Sequence, residues 1–175
     1  MQEESKATQF EAIVLPHFGA AYNLARWLVR DDQDAEDVVQ EAYMRAFRFF
    51  GGYSGGDSRS WLLTIVRNTC YTWLRQNRSR ELNEPIDDKL DEVGISAENP
   101  ETILLQTVDA QMVRLALEEL PIEFREVLIM REMEDLSYKQ ISTIADLPIG
   151  TVMSRLARGR KRLRELLASY MSRRL

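Results

Sequence analysis

Between Gln9 and Val29 the apolar residues Phe10, Ile13, Val14, Phe18, Tyr22, Leu24, Ala25 and Leu28 recur at intervals of three and four. That is the spacing of a helix face, so this stretch reads as a helix or helix pair that Pro16 bends or divides. Asp31-Asp32-Gln33-Asp34 then supplies cap candidates and the negative charge that a helix start favours. The helix it opens runs to about Phe50, with Ala35, Val38, Val39, Ala42, Tyr43, Ala46, Phe47 and Phe50 as a continuous apolar stripe. Residues Gly51 to Ser58 contain four of the chain's 8 glycines and predict a loop. A helix from Trp61 to about Arg75 follows, burying Trp61, Leu62, Ile65, Val66, Thr69, Trp73 and Leu74. From Ser79 to about Asn99 the periodicity fails, and Pro85, Gly94 and Pro100 punctuate a linker. Helical spacing resumes at Pro100 with Ile103, Leu104, Val108, Met112, Val113, Leu115, Ala116 and Leu117. Pro121 opens another helix, with Phe124, Val127, Leu128 and either Met130 or Met133 in the core.

Leu136 to Leu167 carries the sharpest pattern. Ser137 with Gln140 three residues on makes a capping box for a first helix whose buried face is Ile141, Ile144 and Ala145. Asp146-Leu147-Pro148 stops that helix, since Asp tolerates the left-handed conformation and Pro suits the start of the next. In the second helix Val152, Leu156, Leu163, Leu166, Leu167 and Tyr170 share one stripe, leaving Met153, Ser154, Ala157, Arg158, Lys161 and Arg162 outward or flanking. Two helices on a tight turn, the second basic, is the helix-turn-helix arrangement that reads the DNA major groove. The alternative is a solvated amphipathic face.

Composition supports an ordered helical chain: 45% hydrophobic and 29% charged residues with only 8 Gly and 5 Pro in 175 residues. No run of about 18 apolar residues predicts a membrane span, and the first ten residues lack signal-peptide regions, so a cytoplasmic protein without stable membrane insertion is expected. One cysteine, Cys70, and one histidine, His17, exclude an intramolecular disulfide framework and a Cys/His zinc cluster. Cys70 reads as a small, partly buried residue and His17 as a packing or capping residue. The net charge of −5 conceals segments of opposite sign. Asp31 to Glu41 holds six acids and no base, Arg59 to Arg80 five Arg and no acid, and Glu81 to Glu101 eight acids against Lys89. Pro148 to Leu175 carries eight Arg or Lys against Glu165, a net of +7. Two basic blocks on either side of an acidic spacer predict two polyanion-binding surfaces.

The polar faces indicate what those surfaces could do. Opposite the apolar stripe of the 61–75 helix lie Ser60, Thr64, Arg67 or Asn68, Tyr71 and Arg75, without a carboxylate. Arg holds phosphate, aromatics stack bases and Asn reads base edges, so this stripe suits single-stranded nucleic acid, and the adjoining Gly-rich loop suits a pocket for an unstacked base. The outer face of the 31–50 helix shows Asp37, Gln40, Glu41, Met44, Arg45 and Arg48, which fits either solvent or a docked helix. No phosphate-binding Gly-Lys-Ser/Thr loop, metal-ligand cluster or nucleophile with a placed base is found, so the chain reads as a binding protein, not an enzyme, and no cofactor is expected.

Taken in order, the chain resembles the bacterial extracytoplasmic-function (ECF) sigma factors, the smallest members of the sigma-70 family. Five segments carry the resemblance: Ala35-Glu-Asp-Val-Val-Gln-Glu-Ala-Tyr43, Trp61-Leu-Leu-Thr-Ile-Val-Arg-Asn68, Leu120-Pro-Ile-Glu-Phe-Arg-Glu-Val127, Leu136-Ser-Tyr-Lys-Gln-Ile141 and Ile149-Gly-Thr-Val-Met-Ser-Arg155. It implies an all-α fold of two small helical domains, a σ2-like domain over residues 1–78 and a σ4-like helix-turn-helix domain over 100–175, on a flexible acidic linker over 79–99. It further implies a sigma factor that binds core RNA polymerase, through the β′ clamp helices and the β subunit, and directs promoter-specific initiation. Asp37, Gln40, Glu41, Met44 and Arg45 then resemble the polymerase-docking surface. Tyr53, Thr64, Arg67, Asn68, Tyr71 and Arg75 resemble the surface that captures a flipped −10 base. Met153, Ser154, Arg155, Arg158, Lys161 and Arg162 would serve −35 recognition. An anti-sigma partner is also expected.

Three positions depart from the family's usual pattern. Met153 stands where many relatives are basic, Ala157 where the outward residue is often larger, and Ser142 where a small apolar residue is usual, a change expected to affect packing. The −35 sequence is therefore not transferable from any relative. A rival class, a two-domain regulator of duplex DNA that needs no polymerase, leaves the loop at 51–58 and the stripe at 60–75 unexplained. The inducing stimulus and the regulon are not written in these residues.

Overall fold

The computed structural model describes residues 2–81 and 108–173, which form helices and connecting turns with no strand among the described residues. Helix α1 (Gln2–Val14) and helix α2 (Phe18–Val29) are divided by one 3-10 turn, Leu15–His17, with Pro16 in its first positions, where a backbone donor is not needed. The predicted break is there, but α1 begins at Gln2 rather than Gln9. Its first two turns carry no apolar stripe for periodicity to reveal; Glu3 and Glu4 instead lie at the positive end of the helix dipole. Phe10 anchors α1, its ring meeting Phe47 and Phe50 edge-on at centroid distances of 5.3 and 5.4 Å.

Helix α3 (Asp32–Phe49) starts on Asp31, whose carboxylate accepts from the Asp34 N–H at 2.9 Å. Ala35, Val38, Val39, Ala42 and Ala46 are buried, as the stripe predicts. A 3-10 turn, Phe50–Gly52, leads into the Gly-rich loop, where Gly55 and Gly56 take φ of 91° and 92°, conformations that only glycine adopts easily. Helix α4 (Ser58–Glu81) extends past both predicted ends. Asp57 caps it by accepting from the Ser60 N–H at 3.0 Å, and its last turn takes up residues 79–81 of the predicted linker. The rest of that linker, and the helical pattern expected from Pro100 to Thr107, lie outside the described residues.

In the C-terminal half, helix α5 (Val108–Glu119) is followed by helix α6 (Ile122–Leu128), which Pro121 opens as expected, and by a π-helical turn at Ile129–Met133. Met130 is fully buried and Met133 is 47% exposed, which decides between the two core candidates. Helix α7 (Tyr138–Ala145) and helix α8 (Ile149–Ser172) complete the chain. Gly159 is the close-approach point of α8 on α6: a Cβ there would lie 3.2 Å from Leu128 Cδ1 and from Phe124 Cβ.

The halves pack together, α2 against α6 and α4 against α7, around one continuous core. This explains why α4 buries more than one stripe. Leu62, Leu63, Val66, Thr69 and Cys70 are all buried, whereas the predicted core residues Trp61, Ile65, Trp73 and Leu74 are half-buried. A single amphipathic pattern cannot register a helix covered from two sides. Arg125 ties the junction. Its guanidinium donates to the carbonyls of Glu118 and Leu120 at 3.1 and 2.9 Å, and to Leu28 at 3.5 Å, so one side chain holds the ends of α5 and α2. Burial, with the nearby Arg30 charge, lowers it to about 10.

Candidate functional site

Helix α7 opens with the complete capping box. The Ser137 hydroxyl accepts from the Gln140 N–H at 3.1 Å, and the Gln140 carboxamide oxygen accepts from the Ser137 N–H at 2.9 Å. It closes on Asp146 in the left-handed conformation at φ 53°, ψ 54°, as predicted, and Pro148 is the cap of α8. Ser142 does more than the expected change in packing. Its carbonyl accepts from Asp146 and Leu147, and its hydroxyl donates to the Leu147 carbonyl, so it fixes the turn. On α8, Met153, Ser154, Arg158, Lys161 and Arg162 are exposed and Arg155 is half-buried. Val152, Leu156 and Gly159 are buried on the opposite side, with Leu163, Leu166, Leu167 and Tyr170 half-buried. Two cations of this basic helix are paired, Arg160 with Glu132 at 2.8 Å and Arg162 with Glu165 at 3.5 Å.

The stripe on α4 divides into two groups. Asn68 and Arg75 are exposed. Arg67 and Tyr71 instead face the C-terminal half: Arg67 Nε and Nη2 donate to Glu126 at 2.7 and 3.1 Å, and the guanidinium lies 4.3 Å from the Tyr71 ring centre. Burial and the Glu126 charge push the Tyr71 hydroxyl well above the usual phenol range. Thr64 is half-buried, with its hydroxyl donating to the Ser60 carbonyl at 2.7 Å. Ser60, expected on the open stripe, is buried against Asp57. Tyr53 packs on Phe50 and Trp61, at centroid distances of 5.9 and 5.1 Å, and its hydroxyl donates to the Gly56 carbonyl at 2.9 Å. The loop is thus folded onto an aromatic cluster, where Tyr53 is half-buried.

The face of α3 is open. Asp37, Gln40 and Glu41 are exposed, Met44 is 68% exposed, and Arg45 pairs with Glu41 at 2.7 Å while reaching Thr69 at 3.5 Å. Two shallow grooves border this face, one lined by Lys6, Tyr43, Met44, Phe47 and Arg48, the other by Phe18, Tyr22, Glu36, Val39, Gln40 and Tyr43.

Sigma-70 region 2 matches residues 13–80 and sigma-70 region 4 matches residues 110–163. The chain is 32% identical over 165 residues to the RNA polymerase sigma-H factor of Pseudomonas aeruginosa, covering 90% of this chain and 86% of that one. It is also 34% identical over 135 residues to the ECF sigma-E factor of Escherichia coli K12, covering 73% of this chain and 71% of that one. It belongs to the ECF sigma factors. To the ECF sigma factor SigE of Mycolicibacterium smegmatis it is 33% identical over 170 residues, covering 97% of this chain and 66% of the longer SigE. Its fold is similar to that of the sigma factor RpoE of Bartonella quintana, solved with the anti-sigma factor NepR, at a TM-score of 0.73 and 31% identity over 91% of this chain and 97% of that one. CnrH, solved with the cytosolic domain of CnrY, shares the fold at a TM-score of 0.63 and 22% identity. Sigma factors are DNA-binding initiation factors and not enzymes. No described helix of this one is long and apolar enough to cross a membrane.

Sequence reasoning missed the buried charges that join regions 2 and 4 of this sigma factor. Arg125 and Glu126 are 3% and 0% exposed, although their charge reads as solvated. Their one signal is position, between the predicted core residues Phe124, which is half-buried, and Val127, which is buried. Cys70, expected to be partly buried, is fully buried, and burial with the Glu126 charge raises its thiol to about 12. His17 has a hydroxyl partner that local sequence did not signal: its Nε2 lies 2.9 Å from Ser58 Oγ, linking the α1–α2 turn to the start of α4.

Proposed function

We propose that this sigma factor binds core RNA polymerase through α3, reads −35 duplex with the outward face of α8 and captures unstacked −10 bases on α4. The observation that carries the reading is the pairing, in one chain, of a capped helix-turn-helix whose basic residues Arg158 and Lys161 are exposed with a second, carboxylate-free stripe that exposes Asn68 and Arg75. A duplex-binding regulator needs only the first of these. Arg158 suits a bidentate contact to a base edge, Ser154 a hydrogen bond, and Met153, which is 52% exposed, apolar contact with a thymine methyl. Arg155, Lys161 and Arg162 suit phosphates. On α4, Asn68 suits a base edge and Arg75 the backbone, joined by Thr64, Arg67, Tyr71 and the loop residue Tyr53 when the strand is bound.

The working units are residues 1–78 and 100–175, joined through 79–99, and the protein acts in the cytoplasm, where the polymerase is. An anti-sigma protein is its natural regulator. Support comes from RpoE, similar over 91% of this chain and solved with NepR.

Binding of the purified protein to core RNA polymerase tests the reading. The parent binds, and Glu41→Lys or Met44→Glu weakens binding at least tenfold while the folded content stays unchanged. Absence of binding by the parent leaves the duplex-binding regulator as the correct class.

A further inference from the structure

Ser142, near the end of α7, is bonded twice to one residue beyond that helix. Its carbonyl accepts the N–H of Asp146, the left-handed residue at φ 53°, and the N–H of Leu147 at 3.0 Å. Its hydroxyl donates to the Leu147 carbonyl. A helix that ends on a left-handed residue commonly adds an apolar contact between this position and the residue after the left-handed one. Here that contact is polar. Thr143, next along α7, shows the ordinary alternative, its hydroxyl donating back to the Lys139 carbonyl at 3.1 Å. Ser142 reaches forward across the turn.

The N–H and the carbonyl of Leu147 are thus both held by one residue of α7, and the next residue is Pro148, at φ −58° and ψ 147°, which caps α8. Proline fixes its own φ and confines the residue before it to extended backbone. Within that region the two Ser142 bonds set the direction in which α8 leaves the turn. The next close constraint on α8 is Gly159, where the helix closes on Phe124 and Leu128. Val152 and Leu156 are buried between these points, but apolar burial is non-directional and fixes an angle less sharply than a hydrogen bond. At a rise of about 1.5 Å per residue, Ser154 stands about 7.5 Å and Met153 about 9 Å from Gly159, so a swing of about 10° there displaces their backbone by more than about 1 Å. Hydrogen bonds occupy a distance window of only about 0.5 Å. The backbone of Arg158, one residue from Gly159, moves by about 0.3 Å in the same swing.

We propose that Ser142 is a positioning residue for −35 recognition. Its hydroxyl on the Leu147 carbonyl sets the angle at which the first turns of α8 enter the groove, so base reading by Met153 and Ser154 depends on it more than contact by Arg158 does. This rests on the assignment of the outward face of α8 to −35 duplex. The effect is graded along the helix, which a loss of folding would not be.

The test compares Ser142→Thr, which keeps the hydroxyl, with Ser142→Val, which has the same shape without it. Each full chain is assembled with core RNA polymerase for run-off transcription on templates randomised at the −35 and −10 segments. Ser154→Ala and Arg158→Ala mark the −35 positions that each part of α8 reads. Ser142→Thr is expected to keep the parent's base preferences. Ser142→Val is expected to lower enrichment about fivefold at the positions marked by Ser154 and less than about twofold at those marked by Arg158, with −10 enrichment unchanged. Ser142→Ala, small and apolar as is usual at this position, gives the same graded loss and decides the matter if the valine chain does not fold. A profile of the valine or alanine chain equal to the parent's overturns the proposal, as does an even loss at every −35 position or a loss that Ser142→Thr shares. The underlying assignment fails separately: if the parent itself enriches no −35 sequence, α8 is not the reader, and the proposal falls with that assignment.

Discussion

The carboxamide of Gln140 donates to the carboxylate of Asp57 at 2.8 Å, and each of these groups caps a helix at the same time. Gln140 closes the capping box of α7 while Asp57 accepts the Ser60 N–H and hydroxyl at the start of α4. The first helix of the proposed −35 reader and the helix proposed for the −10 strand therefore begin at one shared hydrogen-bonded junction. Burial by itself would raise the Asp57 carboxyl, but the Ser60 and Gln140 hydrogen bonds and the Arg59 charge outweigh it and hold it at about 2.

That shift fixes a pH dependence. The unfolded chain binds the Asp57 proton near the ordinary value of 3.8 and the folded chain only near 2, so between these values unfolding takes up a proton. The stabilisation is fully present above about pH 4 and is lost as pH falls towards 2. Asp57→Asn, which still caps, is expected to flatten this part of the stability curve, and Asp57→Ala to lose a further ~1 kcal/mol at neutral pH. Urea unfolding at pH 2.5, 4 and 7 checks both; a parallel loss in parent and Asp57→Asn would contradict the assignment.

Gly159 reports on the packing of α8. An alanine Cβ would meet the Phe124 Cβ and the end of Leu128 at 3.2 Å. The helix-propensity gain of about 1 kcal/mol for Gly→Ala offsets the crowding, so Gly159→Ala is expected to be nearly neutral. Gly159→Val adds bulk that Phe124 cannot yield to, and a loss of about 2–3 kcal/mol is expected by thermal or urea unfolding. A neutral valine would mean that α8 does not approach α6 at this point.

Cys70 is enclosed, and its thiol is raised to about 12. With almost no thiolate at pH 8, it should react with an aromatic disulfide reagent only as fast as the chain opens. Labelling in native buffer and in 6 M guanidinium is expected to show one slow and one immediate thiol, respectively. Fast native labelling would show that the α4 core is accessible.

The contrast between α8 and α4 shows what patterning could and could not reveal. On α8 the apolar stripe and the outward residues are legible, because that helix buries one face and periodicity measures a single face. The stripe of α4 reads as one polar face, yet only Asn68 and Arg75 of it are exposed. Arg67 and Tyr71 are covered by Glu126 from a helix 59 residues later, and no local pattern encodes that closure. The burial of Arg125 was hidden for a similar reason, since its partners are backbone carbonyls at helix ends, which carry no residue signature. The packing of Tyr53 on Phe50 and Trp61 depends on how the loop folds back, which glycines permit but do not specify.

At the promoter, the two surfaces should separate by assay. Arg158→Ala is expected to weaken −35 duplex binding by about 1–3 kcal/mol and to relax preference at one base position. Asn68→Ala should leave −35 binding intact and reduce permanganate reactivity of promoter thymines. Extrusion of a base costs a few kcal/mol, which the vacated pocket no longer offsets. Asn68 is the cleaner choice over Tyr53 because it is exposed, whereas Tyr53→Ala would also remove core contacts. Opening of duplex promoters by Asn68→Ala at the parent's level would remove Asn68 from the pocket.

Run-off transcription with core RNA polymerase and this sigma factor, on a library with randomised −35 and −10 segments, tests the central claim most directly. The account predicts discrete transcripts that depend on the added protein, from templates enriched at both segments, with Arg158→Ala relaxing only the first. Transcription no higher than with core polymerase alone, or enrichment at the −35 segment without any at the −10 segment, would contradict it.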